Sequence, residues 1–153
     1  RMNRELARDN ERQFFVTALL GRVELRTGDV TLASAGHPAP LFLAGGRRAR
    51  PVDGLESGIA LGILDEANYP ETRLKLAPGD VLLLYTDGVT EAVDSRGALF
   101  GDARLQSFVS DHADRPAGEI VSGLVGAVNG YAAGAPQEDD ITVLALRYRP
   151  PSA

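Results

Sequence analysis

Two carboxylate-bearing positions border apolar runs and define the chemistry this chain could do. Asp87 follows Val81-Leu82-Leu83-Leu84-Tyr85-Thr86 and is followed at once by Gly88. Glu138-Asp139-Asp140 stands directly before Ile141-Thr142-Val143-Leu144-Ala145-Leu146. Neighbouring carboxylates repel, and a cation offsets that repulsion. Oxygen-only ligands select Mg²⁺ or Mn²⁺, ions that retain waters able to serve as nucleophiles. Taken singly, each acid has an ordinary reading, since Asp beside Gly accepts local backbone hydrogen bonds and forms turns. Taken together, two carboxylate-bearing strand ends in one small domain point to a shared hard-cation site.

The remaining polar candidates support that site or are structural. Thr86 and Thr142 are placed to hydrogen-bond the neighbouring carboxylates. Gly88 carries no side chain, so a ligand could approach its backbone. His37 sits in the loop Gly36-His37-Pro38-Ala39-Pro40, where it could be a ligand, a general acid or a packing residue. His112 falls on an apolar helical stripe and reads as structure. Thr90-Glu91 reads as a helix start or turn. The Thr-Asp-Gly-Val-Thr string is superficially similar to haloacid-dehalogenase phosphatases, but position 85 is Tyr where their nucleophilic aspartate is required. Phosphate-binding Gly-x-x-x-x-Gly-Lys, zinc-binding His-Glu-x-x-His and Gly-x-Ser-x-Gly sequences are absent.

The elements that must position these residues follow from periodicity. Five consecutive apolar residues, Val81 to Tyr85, predict a strand buried on both faces, because a half-exposed strand would alternate. Residues 1 to about 12 read as the end of an amphipathic helix with Met2 and Leu6 on one side. Phe14 to Leu25 and Val30 to Ala35, joined by Thr27-Gly28-Asp29, read as a hairpin. Leu41-Phe42-Leu43 is a short strand, and Arg47, Arg48 and Arg50 follow on a solvated turn. Ser57 to Gly62 reads as a glycine-punctuated loop, and Thr72 to Leu76 alternates as a strand with one solvent face. Leu105, Phe108, Val109 and His112 predict one helix; Ile120, Leu124, Val128 and Tyr131, after Pro116, predict another. The last strand is expected over Ile141 to Tyr148. This order of strands, then helices, then a strand is α+β and lacks the regular alternation of a dinucleotide-binding domain.

Bulk properties narrow the function classes. The chain has 153 residues, 44% hydrophobic, which suits one domain with a real core. Its net charge of −5, from 21 acidic and 16 basic residues, disfavours a sequence-independent grip on nucleic acid. It has no cysteine, which removes disulfides, thiolate metal sites and cysteine nucleophiles. No apolar run reaches the roughly 20 residues needed to span a bilayer, and the charged start lacks a signal-peptide apolar region. A cytoplasmic location is the expectation.

In combination, four segments resemble the bacterial PP2C-like serine/threonine phosphatases, in the sporulation-phosphatase and stress-response regulator branch. They are Ala35-Gly36-His37-Pro38-Ala39-Pro40, Pro78-Gly79-Asp80 through Thr86-Asp87-Gly88-Val89-Thr90-Glu91, Phe100-Gly101, and Asp139-Asp140-Ile141-Thr142-Val143. The resemblance implies an α-β-β-α sandwich, two antiparallel sheets flanked by helices, occupying residues 1–149 with a disordered tail at 150–153. It implies hydrolysis of phosphoserine or phosphothreonine on a protein by a water bridging two Mn²⁺ or Mg²⁺ ions. Asp87 and Asp139 match metal aspartates of the family, Asp140 a supporting position, and His37 a loop near the metals. The implied substrate is an anti-sigma-factor antagonist in a partner-switching pathway.

One family element has no counterpart. An Asp-x-x-Gly-His-Gly-type segment, whose aspartate bridges both metals, is absent from the chain. By the family layout it belongs upstream, so the expectation is a domain missing its N-terminal portion. Such a chain should bind the ion pair weakly, turn over slowly or not at all, and expose apolar surface that favours self-association. A degenerate phosphatase fold acting as a protein-binding adapter is the alternative. Two carboxylates acting on a glycoside without metal is a third option.

Overall fold

The computed structural model describes residues 1–8, 10–12, 14–45, 48–137 and 139–151. Arg47, Glu138 and the last two tail residues, which figure in the expectations above, lie outside the described residues. The elements run α1 (Met2–Ala7), β1 (Ala18–Glu24), β2 (Asp29–Ala35), β3 (Leu41–Leu43), β4 (Arg50–Pro51), β5 (Ser57–Gly58), β6 (Thr72–Lys75) and β7 (Val81–Tyr85). A 3₁₀ turn at Asp87–Val89, α2 (Gly101–Asp111), α3 (Ala117–Ala132) and β8 (Val143–Arg147) complete the chain. The class is α+β. The chain forms two compact units, Arg1–Ala39 with Asp53–Lys75, and Pro40–Val52 with Leu76–Ala153. Each is built on one four-stranded sheet.

In the first unit β2 is the central strand. It pairs antiparallel with β1 from Ala18↔Ala35 to Glu24↔Asp29, and antiparallel with β6 from Asp29↔Lys75 to Leu32↔Thr72. The hairpin turn closes because Gly28 adopts φ +77°, so its N–H reaches the Glu24 carbonyl at 2.8 Å. Val30 and Leu32 point into the core, as the period of two requires.

Three expectations for this unit change. The hairpin strand starts at Ala18 rather than Phe14. The Asn10 side chain binds both backbone groups of Phe14, accepting its N–H at 2.9 Å and donating to its carbonyl at 2.6 Å. Those groups are thereby lost to a strand ladder, and Phe14 and Phe15 stand exposed. In α1 the buried residue is Asn3, not Met2 or Leu6. Its amide donates to the carbonyls of Leu64 and Asp65 and accepts from Gly62 N–H, so polar anchoring holds this short helix. Ser57–Gly58, expected in a loop, makes a two-residue parallel pairing with Ser34 and Ala35.

The second unit orders its sheet β4-β3-β7-β8. β7 is flanked on both edges, by Leu43↔Val81 to Leu41↔Leu83 and by Tyr85↔Val143 to Val81↔Arg147. Val81, Leu82, Leu83 and Tyr85 are buried, as the continuous apolar run predicts. The two helices bury Leu105 and Val109 from α2, and Ile120, Leu124 and Val128 from α3, in the same cluster as Leu41, Leu83 and Phe100. Burying each such side chain is worth roughly 1.5–3 kcal/mol relative to exposure. His112 is the C-cap of α2 and stacks on Phe108 at 4.0 Å between centroids, consistent with its structural reading.

The expected arginine turn contributes Arg50–Pro51 to an edge strand, where proline costs no ladder hydrogen bond. The last strand begins at Val143 rather than Ile141 because Thr142 N–H is taken by a side chain. Asp80 is buried and closes the turn before β7. Its carboxylate accepts the N–H groups of Gly45 and Ala77, both at 2.8 Å. Among the described residues no helix is long and apolar enough to cross a membrane.

Candidate functional site

Antiparallel pairing of β7 with β8 brings the end of one strand beside the start of the other. Tyr85 pairs with Val143, and the ladder extends one step to Thr86, whose N–H donates to the Thr142 carbonyl at 3.1 Å. The next bonds are made by a side chain. Thr86 Oγ1 accepts from Thr142 N–H at 2.9 Å and donates to the Asp140 carbonyl at 2.7 Å. The hydroxyl thus clasps the segment bearing Asp139 and Asp140 to the segment bearing Asp87. It binds backbone, not the carboxylates that the sequence suggested, because the chain reaches it before β8 regains regular pairing.

Gly88 is required for this approach. A Cβ there would lie 2.6 Å from the Asp140 carbonyl oxygen and 3.1 Å from that of Asp139. The constraint is close backbone contact, which any side chain would obstruct.

The acids themselves are held locally. Asp87 opens the 3₁₀ turn, is partly buried, and accepts Gly88 N–H on Oδ1 at 3.1 Å. Its carbonyl accepts from Thr90 Oγ1 and from Glu91 N–H, so Thr90 and Glu91 form a turn rather than a helix start. Asp139 and Asp140 are exposed; Asp139 Oδ1 accepts Asp140 N–H at 2.7 Å, and Gln137 Nε2 donates to the Asp139 carbonyl at 2.8 Å. Just before Thr86, burial of Tyr85 raises its phenol to about 12, with the charge of Asp102 as a smaller cause.

The donors gathered here are carboxylate and carbonyl oxygens, which suit a hard cation. Mg²⁺-type ions are commonly held by one or two carboxylates, with water filling the other positions. Among the described residues no group of three or more His, Asp or Glu is placed to hold an ion. The donor set therefore fits such an ion in kind and leaves much of its coordination to other ligands.

His37 belongs to the first unit, whereas Asp87, Asp139, Asp140, Thr86 and Gly88 belong to the second. His37 is half-buried, with Nδ1 3.4 Å from Thr17 Oγ1, and its carbonyl accepts from Ser34 Oγ at 3.2 Å. Those contacts are loop-fixing ones.

A cavity of about 190 Å³ opens beside Gly88 and Asp139. Glu91, Asn129 and Gln137 contribute to its wall, and sequence reasoning singled out none of them as site residues. Asn129 directly follows the buried stripe residue Val128, so helical period alone marks it only as a flank position.

A model of the family described as stage II sporulation protein E (SpoIIE) matches residues 1–149. The chain belongs to the SpoIIE family. It is 30% identical over 133 residues to protein IcfG of Synechocystis sp., covering 86% of this chain and 20% of IcfG. It is 27% identical over 124 residues to phosphoserine phosphatase RsbU of Bacillus subtilis, covering 80% of this chain and 36% of RsbU. The PP2C domain of SiaA from Pseudomonas aeruginosa matches with a TM-score of 0.75 at 29% identity, over 87% of this chain and 52% of that one. The SpoIIE fold is thus the PP2C fold expected from the motifs, and this chain spans about half or less of each of these proteins.

Proposed function

We propose that this chain is part of a metal-dependent phosphatase that hydrolyses phosphoserine or phosphothreonine on a regulatory protein. The observation that carries the reading is the clasp that sets Asp87 and the Asp139-Asp140 segment side by side at adjoining ends of β7 and β8. In this reading Asp87 and Asp139 hold Mn²⁺ or Mg²⁺, of which two ions are expected. Thr86 and Gly88 position the two segments, and Asp140 supports them. When bound, the ions supply activation of water and neutralisation of phosphoryl charge. The chain's own acids orient the site. His37 retains its loop-fixing role.

Similarity to RsbU supports a phosphoserine-bearing substrate, and the regulator branch supports an anti-sigma-factor antagonist as that substrate. Exposed Phe14, Phe15, Leu20 and Leu25 in the first unit support association of this chain with itself. Size-exclusion chromatography giving only monomer would count against that association.

The deciding experiment is Mn²⁺-dependent phosphate release from a phosphoserine protein by the intact protein carrying this chain, with Asp87→Asn as control. Loss of most of the activity in the variant is expected, and equal rates would sink the reading. The absence, among the described residues, of a group of three or more side chains placed to hold an ion favours one rival, a non-catalytic adapter of the same fold. Calorimetric titration with Mn²⁺ separates the two, since an adapter shows no binding that Asp87→Asn abolishes.

A further inference from the structure

The cavity beside Gly88 and Asp139 has a size and lining that select an occupant. It lies within the second unit, between the segment Glu91–Val93, the last turns of α3, and the return through Gly134–Gln137. At about 190 Å³ it falls below the roughly 300–1,000 Å³ typical of small-molecule and nucleotide pockets, and suits one long side chain. Its apolar wall includes Ala92, Val93, Ala132 and Ile141, which would cover an aliphatic stem.

Its polar groups suit a cationic end. Glu91 brings a carboxylate, and among the described residues no Lys, Arg or His lines the cavity. Gln137 donates through Nε2 to the Asp139 carbonyl, which leaves its Oε1 as an acceptor, and Asn129 brings a second amide oxygen. The backbone shapes the wall. Ala133 ends α3 at φ +45°, a left-handed conformation uncommon for a residue other than glycine, and Ala135 N–H returns to the Ala132 carbonyl at 2.8 Å. This bend turns the chain back along the cavity toward Asp139.

We infer that this cavity is a subsite for one Lys or Arg side chain of the phosphoprotein, a few residues from the phosphorylated Ser or Thr. The inference rests on the phosphatase reading, because Gly88 and Asp139 are shared by the cavity wall and the proposed metal site. The stem packs on Ala92, Val93 and Ala132, and the cation meets Glu91 with Asn129 and Gln137. No bond is made or broken there; the subsite sets substrate choice.

The test is a fluorescence-anisotropy titration of the intact protein carrying this chain with labelled phosphoserine nonapeptides. Lys, Leu or Glu is placed in turn at each position flanking the phosphoserine, with and without Mn²⁺. One position is expected at which Lys binds at least tenfold tighter than Glu. Glu91→Lys should reverse that preference, and Ala132→Trp, which fills the cavity, should remove it; circular dichroism checks the fold of each variant. Absence of any preferred position, or an unchanged preference in both folded variants, overturns the subsite. Phosphate release from the same peptides is read in parallel. A preference that Glu91→Lys reverses, without phosphate release, overturns the phosphatase reading and leaves a peptide-binding site. Release without preference overturns the subsite alone.

Discussion

The hydroxyl of Thr86 donates to the carbonyl of Asp140 across 54 residues of sequence, at 2.7 Å, while accepting the N–H of Thr142. One side chain thus satisfies two backbone groups and sets the spacing between the two acidic segments.

Thr86→Val keeps the shape and removes both bonds, so it should cost about 1–3 kcal/mol in stability. Thr86→Ser should retain most of it. Urea unfolding checks both, and Mn²⁺ titration of Thr86→Val should show weaker binding even where the protein remains folded. Equal stability of Val and wild type would show that the clasp is incidental.

Gly88→Ala places a methyl 2.6 Å from a backbone oxygen that has no flexible end to yield. The two segments must separate, with an expected loss of about 1–3 kcal/mol, the usual range for overpacking. Mn²⁺ affinity should fall by more than tenfold. A variant with wild-type stability and affinity would contradict the tight approach.

Asp80 anchors the turn that feeds β7 through two charge-assisted bonds in a buried position. Asp80→Ala leaves the N–H groups of Gly45 and Ala77 without their acceptor and should cost about 2–4 kcal/mol. Asp80→Asn should cost less, since one oxygen still accepts. Thermal unfolding monitored by circular dichroism gives the order.

Tyr85 carries an alkaline signature. Burial raises its phenol to about 12 from an ordinary value of 10.0. Between those values the unfolded chain loses the proton that the folded chain keeps. The contribution is therefore fully present below pH 10 and is lost as pH rises toward about 12. Tyr85→Phe should flatten this part of the stability profile, measured by urea unfolding at pH 9 and pH 11. An unchanged slope would assign the alkaline loss to other groups.

Local pattern made much of the second unit legible. The continuous apolar run of β7 identified a strand covered on both faces, and the stripes Leu105-Val109 and Ile120-Leu124-Val128 identified two helices of one core. The first unit was less legible at its start. Phe14 and Phe15 look like strand residues, yet the Asn10 side chain captures the backbone of Phe14 in a tight turn. β-propensity could not anticipate that competitor. Burial of Asn3 in place of Met2 and Leu6 has the same origin, since polar partners 59 to 62 residues away determine it.

By itself the sequence determined the α+β class, the central strand, the two apolar helix faces and the candidate acids Asp87 and Asp139. Each is written in residue type and in periods of two or 3.6 along the chain. Only the tertiary structure decided that Thr86 bonds backbone rather than a carboxylate, that Gly88 meets the Asp140 carbonyl, and that Glu91, Asn129 and Gln137 share a cavity. Hydrogen-bond partners and close approaches depend on which distant segments the β7–β8 pairing brings together, and no local period records that.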